Sequence, residues 1–86
     1  MPTINELRKK IEKTDAALIK KLSERQKLSQ QIGKLKAKYG KKVTDLNREK
    51  KLMDLYECLS DKYDLRVSFV KRLFKIIIVN SKSLQK

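Results

Sequence analysis

The stretch INELRKKIEKTDAALIKKLSERQKLSQQIGKLKAKY, residues 4–39, decides the fold. Its apolar residues Ile4, Leu7, Ile11, Leu18, Leu22, Leu28, Ile32 and Leu35 recur close to every 3.5 residues, the period of one buried helical face. No proline interrupts the run, since the single proline of the chain is Pro2. Gly40 follows directly, and a glycine just past the last helical turn can take the left-handed conformation that ends a helix. The spacing therefore predicts a first helix over residues 4–39.

Working outward, a second helix is predicted over 45–62, with Thr44 or Asp45 as its N-cap and Leu52, Tyr56 and Leu59 on its apolar face. A third is predicted over 65–84, after Asp64 as a further cap candidate, carrying Val67, Val70, Phe74, Ile77 and Ile78. The connections are short, so neighbouring helices are expected to be antiparallel or sharply turned. The fold class is all-α, with residues 1–86 as one domain of three helices.

The first helix also bears on assembly. About 35 residues rising ~1.5 Å each span roughly 50 Å. A compact chain of this size has a radius of gyration near ~12 Å and a diameter of roughly 30 Å. The helix therefore overhangs any core built from the two shorter ones, and its seam needs a cover. A chain of 86 residues buries only about 60% of its unfolded surface, which calls for further support. Cys58 is the only cysteine and histidine is absent, which excludes an internal disulfide and argues against a zinc site. A second copy packed antiparallel is the remaining support, and an intertwined six-helix homodimer is expected.

The net charge of +13 favours anionic partners. Nucleic acid, a small anion and a solvated lysine-rich surface are the three readings. A nucleic-acid surface needs outward cations interleaved with stacking aromatics, whereas Tyr39, Tyr56, Tyr63, Phe69 and Phe74 are scattered. No nucleic-acid partner is expected. Apolar runs reach no more than four residues, as in Ile76 to Val79, far short of the ~20 residues of a membrane span, and the N-terminus lacks a secretory apolar region. No membrane association and a cytoplasmic location are the expectation.

Polar residues on faces that ought to be apolar carry the functional reading. Arg25, Ser29, Ile32 and Lys36 follow i, i+4, i+7, i+11, one row of helix one. Asp45, Arg48 and Glu49 continue the face of Leu52, Tyr56 and Leu59 on helix two. Ser81 and Gln85 extend the row of Ile77 on helix three. Each has a plain alternative: a snorkelling Arg25 with a solvated Lys36, a capping Asp45, and a fraying last turn. Together they place cations and hydrogen-bonding groups where an oxygen-rich anion would sit. A Ser-His-Asp set, a metal cluster and a glycine-rich phosphate loop are all missing from the sequence.

The ordered landmarks LRKKI with Arg8, SERQKL with Arg25, GKLK with Lys36, DLNRE with Asp45, Arg48 and Glu49, and IIIVNSKSLQ with Ser81 and Gln85 resemble the all-helical chorismate mutases. The likeness includes the mutase domain of bifunctional mutase–prephenate dehydratases and runs from about Leu7 to Gln85. The resemblance implies conversion of chorismate, a dianion, to prephenate, a step towards phenylalanine and tyrosine, with no cofactor and no metal. It implies that Arg25 and Arg48 bind the substrate carboxylates, joined by Arg8 from the other protomer. Lys36 and Gln85 would face the ether oxygen, Glu49 and the Asp45 region the ring hydroxyl, and Ser81 a carboxylate, with Ile32 and Ile78 as apolar walls.

Arg8 precedes Arg25 by 17 residues, roughly 25 Å along the axis, so it is either structural or serves a partner's site. An isochorismate–pyruvate lyase on the same scaffold and a basic nucleic-acid-binding bundle are the alternatives. A purely structural bundle is a third, for which Arg25→Leu would stabilise the fold at no functional cost. No dehydratase or regulatory segment follows Gln85, so a monofunctional enzyme or an excised domain is expected.

Overall fold

The computed structural model describes residues 1–85 and consists of three helices, with no strand among those residues. The first, α1, spans Ile4–Lys38 and begins with a reciprocal cap. The Glu6 backbone N–H donates to Thr3 Oγ1 at 3.1 Å, and the Thr3 N–H donates to Glu6 Oε2 at 3.3 Å. It ends in a Schellman turn: the Lys41 N–H donates to the Lys36 carbonyl at 2.7 Å, and Gly40 takes φ 66° as expected.

The second, α2, spans Leu46–Lys62, and Asp45 rather than Thr44 caps it, accepting from the Arg48 N–H at 3.1 Å. The third, α3, spans Val67–Gln85 and stays regular through Gln85. One expectation is corrected at its start. Asp64 does not cap α3; it closes α2. With φ 57°, it holds the left-handed position of a second Schellman turn, in which the Leu65 N–H donates to the Ser60 carbonyl at 2.9 Å. Aspartate tolerates that conformation better than most side chains do. The first intrahelical acceptor of α3 is the Arg66 carbonyl, bonded by the Val70 N–H at 3.2 Å.

Helix α3 is the hub. It packs against both α1 and α2, while α1 and α2 do not approach one another. Tyr56 stacks on Phe74 with ring centroids 4.2 Å apart, and Lys71 pairs with Glu57, so α2 and α3 run antiparallel. Tyr56, Val70 and Ile78 are the buried apolar residues, flanked by Leu52, Met53 and Phe74. On α1 the buried residues are Ser29 and Gly33. A Cβ on Gly33 would lie 2.7 Å from Gln85 Cα, so only glycine lets the two helices meet this closely.

The remainder of α1 projects. The chain measures 57 × 23 × 16 Å with a radius of gyration of 16.2 Å, well above the ~12 Å of a compact chain of this length. The seam of α1 is uncovered within the single chain: Ile4, Ile11, Leu18 and Ile19 are each more than half exposed. No helix is long and apolar enough to cross a membrane among the described residues.

Candidate active site

Four of the polar residues singled out, Arg25, Glu49, Ser81 and Gln85, meet on the C-terminal half of α3. Ile78, Ser81, Lys82 and Gln85 follow i, i+3, i+4, i+7 and share one α3 face. Each contacts, or sits beside, a residue brought from elsewhere in the fold. From α1, the Arg25 guanidinium donates to Ser81 Oγ, and the Ser81 hydroxyl in turn donates to the Ile77 carbonyl at 3.0 Å. From α2, Glu49 Oε1 forms an ion pair with Lys82 Nζ. Gln85 lies on Gly33 of α1, and its Oε1 is buried without a hydrogen-bond partner.

Lys36 stands at the far end of α1, over the α1–α2 connection. Its Nζ donates to the Val43 carbonyl at 2.7 Å, which leaves two of the three ammonium protons free. Lys36, Lys41, Lys42, Thr44, Asp45 and their neighbours line a cleft of about 520 Å³. Arg25 and Ser81 line a second depression of about 270 Å³, walled by Leu22, Ile76 and Ile77. Both belong to a chain whose formal charge is +13, so an anion is drawn to either.

The single chain thus brings Arg25 to Ser81, Glu49 to α3, and Gln85 to the row between Arg25 and Lys36. It does not bring every expected residue into one cavity. Arg25 and Lys36 line separate depressions. Arg48 was expected to point along the buried face but is exposed, because only its backbone is engaged, at the Asp45 cap. Arg8 is exposed on the projecting half of α1, 17 residues before Arg25. Of the two expected walls, Ile78 is buried and Ile32 is about half exposed. Lys82 was missed: stepping from Ile77 to Ser81 and Gln85 passes over it. The signal lay in the Ile78 register, since Lys82 follows Ile78 by four and precedes Gln85 by three.

The arrangement offers the Arg25 guanidinium, the Lys36 ammonium, a Glu49 carboxylate already balanced by Lys82, and the unpartnered Gln85 amide oxygen. It suits recognition of a small polyanion with a hydroxyl group.

The family described as chorismate mutase type II matches residues 7–86. A chorismate mutase of Methanocaldococcus jannaschii is 31% identical over 81 residues, covering 94% of this chain and 82% of that protein. A bifunctional chorismate mutase/prephenate dehydratase of Buchnera aphidicola (subsp. Acyrthosiphon pisum) is 34% identical over 89 residues, covering the whole chain and 23% of that protein. The bifunctional protein of the same description in Escherichia coli K12 is 35% identical over 75 residues, 87% of this chain and 19% of its own length. The chain therefore spans less than a quarter of these bifunctional relatives and most of the archaeal one.

Proposed function

This chain belongs to the type II chorismate mutase family, and we propose that it rearranges chorismate to prephenate at a site completed by a second copy of itself. The observation that carries this reading is the convergence on α3: Arg25 of α1 reaches Ser81, and Glu49 of α2 reaches the adjacent Lys82. Polar groups from all three helices thereby face one small region.

The rearrangement is unimolecular: one C–O bond breaks as one C–C bond forms, so no nucleophile or electron carrier is needed. The protein has to hold the flexible dianion in its compact reactive shape and stabilise charge gathering on the ether oxygen. Even a 10⁶-fold acceleration requires roughly 8 kcal/mol. Arg25, with Ser81 beside it, takes one carboxylate, and Arg48, exposed in the single chain, turns in from the first turn of α2 to take the other. The free Lys36 protons and the Gln85 amide serve the ether oxygen, where one preorganised donor is worth about 10²–10³ in rate. Glu49 and the Asp45 end of α2 accept from the ring hydroxyl, and Ile32 and Ile78 wall the carbon skeleton.

Pairing supports this assignment on two counts. The apolar seam of α1 is left uncovered by its own chain, and a second α1 packed antiparallel would cover it. The same packing would bring Arg8 of the partner subunit towards the site that its own chain cannot reach.

The test is loss of chorismate absorbance with prephenate as the product. Lys36→Ala is expected to lower turnover by about 10²–10³-fold with helical circular dichroism retained. Arg8→Ala and Arg25→Ala chains, each inactive alone, are expected to recover activity when mixed, because each mixed dimer holds one intact site. Absence of recovery would refute the shared site, and a parent chain that leaves chorismate untouched would refute the function.

A further inference from the structure

We propose that Lys82 is a positioning residue for Glu49, holding that carboxylate in the site as a charge-balanced hydrogen-bond acceptor for the substrate hydroxyl. The inference rests on the reading of function above and gives a role to Lys82, which that reading uses only as a point of contact.

Three features carry it. First, Lys82 shares the α3 face of Ile78, Ser81 and Gln85, so it belongs to the site by register. Second, its ion pair with Glu49 is the most shielded of those in the described residues, with side-chain exposures of 30% and 24%. The pairs Lys21–Glu24 and Lys71–Glu57 each have one partner about half exposed or more. Third, Lys82 engages Oε1 of Glu49, which leaves Oε2 with its lone pairs for a ligand.

A bare carboxylate beside a dianion repels it, and the repulsion grows as water is excluded. Glu49 lies in the first turn of α2, where the helix start offers only partial compensation. Lys82 supplies a full opposite charge and fixes the rotamer, so that the acceptor is retained while the repulsion is cancelled. The hydroxyl is bonded in ground and transition states alike, so the effect belongs mainly to KM rather than kcat.

The experiment is a double-mutant cycle in chorismate turnover, using Lys82→Met, Glu49→Gln and the pair, with Lys82→Arg as the conservative replacement. Lys82→Met is expected to raise KM about tenfold with kcat changed less than about threefold. In the Glu49→Gln background the same change is expected to cost less than about twofold, because no carboxylate is left to hold. Lys82→Arg should return KM to within about threefold of the parent. If Lys82→Met loses helical circular dichroism, Lys82→Gln replaces it in the cycle.

Equal losses with and without the Glu49 carboxylate would overturn the proposal, as would a loss confined to kcat. Coupling of the two residues in thermal unfolding without coupling in KM would make the pair a structural tie and overturn it as well. A parent chain inactive on chorismate would instead strike the function itself, and this inference with it.

Discussion

The two halves of α1 share one apolar seam, exposed in the single chain along its whole length (Leu28 58%, Leu35 54%), but only the C-terminal half also packs a second face on its own chain. From Arg25 to Gly33 the helix lies on α3, and its buried residues there are Ser29 and Gly33. From Ile4 to Glu24 every residue is exposed, although Ile4, Leu7, Ile11, Leu18 and Leu22 form as regular a seam as any in the chain. Where the chain supplies its own neighbour, small residues let the helices close. Where it does not, large apolar residues wait for a surface. Periodicity thus marks a face fit to be covered, while residue size reports how near a covering element can come.

Leu18→Glu breaks the comparison most severely. In the single chain Leu18 is 58% exposed, and such a change would fall within about ±0.5 kcal/mol. Against a second α1 it would bury an unpaired carboxylate at a cost of several kcal/mol. The expected outcome is loss of the dimer in sedimentation and of activity at low protein concentration. An unaltered molecular mass would place the N-terminal half in water and undo the contrast.

Gly33→Ala probes the other half, with a smaller effect. Alanine favours the helix by about 0.8–1.0 kcal/mol. The new Cβ, 2.7 Å from Gln85 backbone, demands a helix shift that costs about 1–3 kcal/mol. Overpacking wins. Thermal unfolding is expected to fall by a few degrees, and kcat by about tenfold as Gln85 is displaced. A more stable, fully active variant would show that α1 and α3 can part freely.

The helix ends give the smallest and most controlled effects. Gly40→Ala introduces a side chain at φ 66° with nothing within 4 Å, so it should destabilise by strain alone, about 1 kcal/mol. Asp64→Gly relieves the same conformation and should stabilise by up to about 1 kcal/mol in denaturant titration. Equal effects of one sign would contradict the matched Schellman turns.

Much of this was legible in the sequence. The helices were placed to within about two residues at each end, because long apolar periods and Gly40 are strong signals. The start of α3 misled, since aspartate serves equally as an N-cap and as a left-handed closing residue, and only backbone context separates the two. Arg48 is exposed in the single chain for a related reason. Helical spacing fixes where a Cα lies, but a long cationic side chain at a helix start can turn to solvent. Arg25 with Ser81 and Gln85 beside α1 were anticipated as residues of one site. The Gly33–Gln85 approach was not, because it depends on where two helices cross, which neither helix encodes alone.

The shortage of enclosed apolar residues reaches beyond architecture. Tyr56, Val70 and Ile78 are the only buried apolar side chains among the described residues. On the proposed pairing, most of the driving force for folding is bimolecular, and each tenfold dilution removes about 1.4 kcal/mol of it. Expression level then becomes a thermodynamic variable: a cell that makes too little of this chain lowers the folded fraction as well as the quantity.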